Sequence, residues 1–297
     1  LKSGIKYMDK KTIVITGSTG FLGSYIRSNI RNNYEIIFAT TSSLDDGFVK
    51  FDSLYTNICE ILCNKRIDCI IHNASIIPRN FAEATYQLFK DNTYMVENLF
   101  KFTLKNNVKK FIYMSTFGSM TNPKLFDVGD YYTLSKITGE LFCSMLNKNG
   151  VDATSFRISS PYGEFLKANN VLRIFVNRAL SNQDIIVFGD GSREQNFTYA
   201  GDILNAIELA IEKDVQGTYE IVGKSNISMF RLAELIIDIV KSKSKIIFDG
   251  IDPQENYRPK YSYKKAFKDF GYFPKTRLKD GLKKYIDWVK YENSVNI

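Results

Sequence analysis

Short apolar runs alternate with longer segments of helical periodicity through the first half of the chain. The runs Thr12–Thr16, Glu35–Thr40, Asp68–Asn73, Phe111–Thr116 and Asp152–Ser159 are β-branched or aromatic and nearly continuous in apolar residues. Strands buried on both faces read this way, because helices cover the sheet above and below. Between them, Phe21–Arg31, Thr85–Asn107 and Tyr131–Lys148 place apolar residues every three to four positions, which predicts helices with one buried face. Strand alternating with helix predicts an α/β fold built on a doubly wound parallel sheet.

After about residue 160 the rhythm changes. Pro161-Tyr162-Gly163 and Gly189-Asp190-Gly191-Ser192 punctuate shorter elements, with helices near Leu172–Leu180, Ile203–Glu212 and Phe230–Ser242. A smaller, partly interleaved C-terminal α/β lobe is expected: residues 8–160 form the first domain and 161–297 the second, some of whose elements return to the first.

Composition narrows this picture. With 44% hydrophobic and 24% charged residues and only six prolines, the chain has ample material for a core and no disordered tract. No apolar run approaches the ~18 residues of a membrane span; Leu232–Val240 comes nearest and is broken by Glu234 and Asp238. No secretory signal is expected, and a start at Met8 would make residues 1–7 an extension. Cys59, Cys63, Cys69 and Cys143 read as reduced thiols, since His72 is the sole histidine to join a metal set. A cytoplasmic location follows. The net charge of +8 comes largely from spread lysines, including Lys264, Lys265, Lys268, Lys275, Lys279, Lys283 and Lys284. Their helical spacing predicts a solvated face with no nucleic-acid partner, the lack of a spanning run predicts no membrane partner, and a mild positive field suits a phosphorylated substrate.

The chemistry begins where the first strand ends, at Thr16-Gly17-Ser18-Thr19-Gly20-Phe21-Leu22-Gly23. Gly17 permits a tight turn, Gly20 lets backbone N–H groups approach a pyrophosphate, and Gly23 lets helix pack on strand. A nicotinamide dinucleotide is therefore the expected cofactor. Where an acidic residue would bind the adenosine ribose and favour NAD, this chain has Thr40-Thr41-Ser42-Ser43. NAD(H) and NADP(H) are both allowed, with the balance tilted toward NADP(H). Further on, Tyr132 and Lys136 lie four apart at a helix start, and Thr116 closes a buried strand at the sheet edge where ligands bind. The ammonium is expected to lower the phenol's pKa and make Tyr132 a usable acid and base.

These motifs resemble the extended short-chain dehydrogenase/reductases, the NAD-dependent epimerase/dehydratase family. Thr16–Gly23 is similar to that family's TGxxGFxG and Tyr132–Lys136 to its YxxxK. His72-Asn73-Ala74-Ser75, Arg157–Gly163 (against RxxNxYG), the loop Gly189–Phe197 and Tyr257-Arg258-Pro259 extend the likeness from Lys11 to about Val289. The resemblance implies a Rossmann-type first domain and a substrate lobe. It implies that Thr116 and Tyr132 hold and protonate the reacting oxygen while Lys136 binds the nicotinamide ribose. By the same likeness Gly17, Thr19, Gly20, Phe21, Leu22 and Gly23 surround the pyrophosphate, with Thr40, Thr41, Ser42, Asp52 and Ser53 toward the adenosine. Asn73, Ala74, Ser75, Asn92 and Pro161 line the cofactor; Ser160, Arg193 and Arg258 meet a nucleoside-diphosphate sugar. A homodimer built on helices Thr85–Asn107 and Tyr131–Lys148 is also implied.

The departures shape the expected reaction. Ser160 stands for the asparagine of RxxNxYG, and Gln195 for the usual arginine of the glycine loop, with Arg193 two places earlier. A 4,6-dehydratase would carry an Asp-Glu pair after the catalytic threonine; Phe117-Gly118 stand there, so dehydration is rejected. Reduction of a 4-keto sugar is the leading expectation, 4-epimerisation with retained NAD the alternative. A non-catalytic cofactor sensor is disfavoured by the retained Tyr–Lys pair, and a serine hydrolase by the lack of a nucleophile elbow.

Overall fold

The computed structural model describes residues 10–41, 48–50, 62, 65–119, 129–252, 254 and 259–295. Its first elements are β1 (Lys11–Thr16), α1 (Phe21–Asn29), β2 (Tyr34–Thr40), β3 (Phe48–Lys50), β4 (Cys69–His72), α2 (Tyr86–Lys105), β5 (Lys110–Thr116) and α3 (Tyr131–Lys148). Then follow β6 (Asp152–Ile158), β7 (Pro161–Tyr162), α4 (Val171–Leu180), β8 (Ile185–Phe188), β9 (Glu194–Asn196), β10 (Thr198–Tyr199) and α5 (Ala200–Glu212). The chain continues through β11 (Gly217–Ile221), β12 (Asn226–Ser228), α6 (Met229–Val240), β13 (Ile246–Asp249), α7 (Lys264–Phe270) and α8 (Leu278–Val295).

Seven strands form one sheet in the order β11-β6-β5-β4-β1-β2-β3. β1 runs parallel to both β2 and β4, and β4 runs parallel to β5. Strand order reverses between β1 and β4, so their C-terminal ends flank the crevice where such sheets bind ligands. The central strands are buried on both faces, as their continuous apolar runs require: Ile13, Val14, Ile15, Ile70, Ile71 and Phe111 are all inaccessible to solvent. Leu99 and Phe102 of α2 and Leu146 of α3 share a core with Val14, Ile70 and Phe111. This is the doubly wound, Rossmann-type α/β fold.

The chain forms two compact units, residues 1–156 with 210–218, and residues 157–209 with 219–297. In the second, β8 pairs with β13 in parallel and β9 with β12 antiparallel. Asp202 there accepts hydrogen bonds from the Lys275 and Thr276 backbones at 3.0 and 3.1 Å, anchoring the approach to α8.

Candidate active site

The turn between β1 and α1 separates the duties of its glycines. Gly17 has a φ of +65°, and a Cβ there would press on the Ala74 backbone nitrogen at 2.7 Å. A Cβ on Gly23 would run into the Gly17 carbonyl and the Ser18 backbone. Gly20 is different: its φ of −72° suits any residue, and a Cβ would meet only the Gly17 oxygen at an ordinary 3.5 Å. Among the described residues nothing demands glycine at 20, whereas a ligand lying close against the turn would. Gly20 is also the N-cap of α1 and offers no side-chain acceptor, while Thr85 and Asp130 cap α2 and α3. The first N–H groups of α1 are left for an anion, with the helix dipole behind them. A dinucleotide pyrophosphate fits this cradle. At its edge Thr19 and Thr40 hydroxyls pair at 3.2 Å; Thr40 is buried and Thr41 exposed.

One hydroxyl ties the turn to the neighbouring strand. Thr16 Oγ1 accepts the N–H groups of Asn73 and Ala74 at 3.2 and 3.1 Å and lies 2.8 Å from His72 Nδ1. With both acceptor positions taken, the hydroxyl donates to Nδ1, which leaves the imidazole hydrogen on Nε2. His72 is fully buried and stacks on Tyr113 at 5.7 Å; burial first, then the charge of Lys136, push its pKa down to about 3. It is a neutral structural link. Asn73 donates to the Gly17 carbonyl at 3.1 Å. Asn92 accepts from Ile76 N at 2.8 Å and donates to Ile76 O at 3.0 Å, which commits its amide to holding the Ser75–Ile76 segment.

The ends of β5 and α3 bring Thr116, Tyr132 and Lys136 into the first unit. Lys136 is buried and donates to the Met114 carbonyl at 3.0 Å; its Nζ sits 5.2 Å over the Tyr113 ring and 5.7 Å over the Tyr132 ring. Gly139 leaves no room for a Cβ against the Tyr113 phenol, and Glu140 accepts from Ser115 at 2.7 Å. Three successive strand residues thus grip α3 along the face that carries Tyr132. Phe117 is buried, and the Gly118 N–H donates to Thr116 Oγ1 at 3.3 Å.

The expected depression of the Tyr132 pKa does not occur. Burial pushes the phenol up to about 12, the Asp130 charge adds to that, and a hydrogen bond with Ser75 pulls the other way. The Lys136 Nζ lies 5.7 Å over the ring centroid, and its charge is not among the influences that move the phenol. Lys136 is the strongly shifted partner, brought down to about 7 by burial. Between pH 7 and 10 the unfolded chain therefore holds more protons at this lysine than the folded one, so its contribution to stability rises with pH across that window. Relative to Lys136→Met, the parent protein is expected to gain melting temperature between pH 7 and 9.5. A constant difference between the two would refute the shift.

In the second unit, Ser160, Gln195, Arg193 and Asp252 form a chain of hydrogen bonds. Arg193 Nε donates to Asp252 at 2.6 Å and its Nη1 to the Gln195 carbonyl at 3.2 Å, and the Gln195 amide donates to Ser160 Oγ. Arg193 and Asp252 line a cavity of about 500 Å³ whose walls include Val171, Ile174, Phe175, Phe188 and Met229. Sequence reading noticed Gln195 only as a missing arginine and passed over Asp252, whose loop carries no motif. Pro161 lies in β7, paired with Thr198. Ser42, Asp52, Ser53, Arg258, Cys59 and Cys63 fall outside the described residues. Cys69 and Cys143 are buried free thiols, pushed up to about 12 by burial. Among the described residues no cluster of three His, Cys, Asp or Glu could hold a metal, and no helix is long and apolar enough to cross a membrane.

The match to the NAD dependent epimerase/dehydratase family model runs over residues 13–222, more than half of the chain. The chain belongs to this family. A relative described as a putative UDP-glucose 4-epimerase from Methanocaldococcus jannaschii is 29% identical, over 95% of this chain and 99% of the relative. A UDP-N-acetyl-alpha-D-glucosaminuronate decarboxylase from Bacillus cytotoxicus is 26% identical over 95% and 98%. Among solved structures, a UDP-glucose 4-epimerase of Thermotoga maritima with UDP-glucose superposes with a TM-score of 0.85 at 23% identity, covering 95% of this chain and 99% of that one. A UDP-glucuronic acid 4-epimerase from Bacillus cereus, with UDP-glucuronic acid and NAD, gives 0.82 at 22% identity, covering 95% and 99%. At these identities the structural likeness speaks for the fold.

Proposed function

We propose that this family member is a 4-epimerase of a nucleoside-diphosphate sugar, uridine diphosphate being the nucleotide part, and that it keeps its NAD bound. The observation that carries the reading is the Thr116–Tyr132–Lys136 group at the end of β5 and α3, with no carboxylate immediately after Thr116. Such a group serves reactions at a carbinol and lacks the acid–base pair that water elimination needs. The M. jannaschii relative, matched over nearly its whole length, supports epimerisation within that class.

In this reading Gly17, Thr19, Gly20, Phe21, Leu22 and Gly23 hold the pyrophosphate, and Asn73, Ala74, Ser75, Asn92 and Pro161 line the cofactor. When bound, the dinucleotide supplies the acceptor and donor of hydride. Tyr132 takes the proton of the sugar's 4-hydroxyl and returns it after the sugar has presented its other face. Thr116 steadies the oxygen by a hydrogen bond, and Lys136 holds the nicotinamide ribose. We assign the first domain to the dinucleotide and the second to the substrate. There the cavity with Arg193 takes the nucleoside diphosphate together with Ser160, and Arg258 is assigned to the same group by the family likeness alone. The enzyme works in the cytoplasm as a homodimer through α2 and α3, whose exposed Tyr94, Leu141 and Met145 suit a helix-to-helix contact.

A second reading, NADP(H)-dependent reduction of a 4-keto sugar, draws on the Thr19–Thr40 hydroxyl pair at the end of β2. Native mass spectrometry of the purified protein separates the two and reads the subunit number at once. Retained NAD in a dimer, with UDP-glucose and UDP-galactose interconverted by NMR and no net coenzyme change, is the expected result. A vacant protein that oxidises NADPH with a 4-keto-6-deoxy sugar nucleotide would hand the case to the reductase. Conversion of a hexose nucleotide into its 4-keto-6-deoxy form would sink both.

A further inference from the structure

The lysines near the C-terminus do more than coat a helix. Between Pro259 and Val295 ten side chains are basic and four acidic, against a net +8 for the whole chain. Aromatic rings and a further lysine lie beside some of them. Phe273 meets Tyr263 at 5.5 Å and Phe267 at 6.4 Å, and Lys224 lies 5.8 Å over its ring. On the other flank of α7, Lys265 sits 4.3 Å over Tyr219.

Helix α7 sets the order of these groups. It buries only Ala266 and Phe270, so Lys264 and Lys268, four residues apart, ride on the line facing away from the protein. Phe267, on the same short helix, is 57% exposed, a large apolar side chain left in water. Lys275, two residues beyond Phe273, is also exposed. The acids among these groups are engaged: Asp269 accepts from the Tyr219 hydroxyl at 3.1 Å, and Glu220 accepts from the Ser262 backbone at 2.8 Å.

We propose that this patch docks the protein reversibly on an anionic phospholipid surface, through Lys224, Lys264, Lys265, Lys268 and Lys275 with Phe267 as the apolar contact. A cluster of four or more lysines is attracted by anionic headgroups, and a half-exposed phenylalanine is suited to the boundary between headgroups and acyl chains. The five amines of the patch are all lysines, with the exposed Arg277 two residues beyond Lys275 as the one arginine in the Pro259–Val295 stretch. Arginine forks and stacked planes are what nucleic acids select, so the chemistry favours lipid. The expectation of no membrane partner rested on the lack of a spanning segment, and surface adsorption needs none.

The test is co-sedimentation of the full chain with vesicles of phosphatidylglycerol and phosphatidylcholine in equal parts, against pure phosphatidylcholine. Binding to the anionic vesicles alone, falling as salt rises, is expected. Each lysine near such a surface contributes roughly five-fold to partitioning, so Lys264→Gln, Lys268→Gln and Lys275→Gln together lower it about a hundred-fold. Phe267→Ser lowers it by a smaller factor. All four residues are exposed, so the variants keep the fold, which circular dichroism checks. No sedimentation with anionic vesicles at 50 mM salt overturns the proposal, as does binding that the triple variant leaves unchanged. Retention of single-stranded DNA without vesicle binding overturns it in favour of nucleic acid.

Discussion

Tyr132→Phe is expected to lower turnover roughly 10²–10⁴-fold, the usual contribution of a positioned proton donor, while dinucleotide affinity stays within a few-fold of the parent. Only the hydroxyl is removed. The ring still lies beneath the Lys136 ammonium, and Lys136 keeps its bond to the Met114 carbonyl, so the geometry of β5 against α3 survives. Because the phenol sits near 12, it stays protonated at neutral pH, and the proposed role as proton acceptor requires the bound complex to supply charge that favours its ionisation. Steady-state rates with UDP-glucose or UDP-galactose, beside a titration of NAD binding, measure both halves. A variant that retains a tenth or more of the parent rate would remove Tyr132 from the proposed role.

Gly20→Val and Gly23→Ala are expected to fail in opposite ways. At position 20 the backbone angles suit valine and the nearest atom leaves room for its Cβ, so the variant folds with a penalty of about 1 kcal/mol at the helix cap. Its side chain then fills the space against the turn, and NAD affinity falls by two orders of magnitude or more. At position 23 even a methyl group collides with the Gly17 carbonyl, and overpacking of this kind costs about 1–3 kcal/mol. Gly23→Ala therefore lowers the melting temperature. Calorimetric binding beside thermal denaturation separates the cases; normal NAD affinity in folded Gly20→Val would displace the pyrophosphate from this turn.

What could be read in the sequence follows from how each feature is encoded. Helix α3 is found at Tyr131–Lys148 as expected, because Asp130 supplies a local cap and the apolar period is regular. The central strands were legible because burial on both faces makes them continuously apolar. β12 and β13 were not read, since Asn226–Ser228 is mostly polar and three of the four residues of Ile246–Asp249 are exposed. Within the site, spacing placed Lys136 beside Tyr132 but could not tell whether the amine meets the hydroxyl or the ring. That depends on tertiary partners such as the Met114 carbonyl, which accepts from Nζ and lies 22 residues away in the chain. Gln195 gained its meaning from Ser160 and Asp252, 35 residues before it and 57 after, and no local pattern links such positions.

The bonds that tie Thr16 to Asn73 and Ala74, Asn73 to Gly17 and Asn92 to Ile76 have a kinetic consequence. The described backbone around the turn holds its shape through its own side chains, so a ligand entering it orders little of these segments. Association then forfeits little conformational entropy, and the binding energy goes into residence time. A cofactor that must survive many turnovers without leaving is served by such a seat. Loosening it at Thr16, which bonds the backbone of Asn73 and Ala74, would shorten the occupancy first.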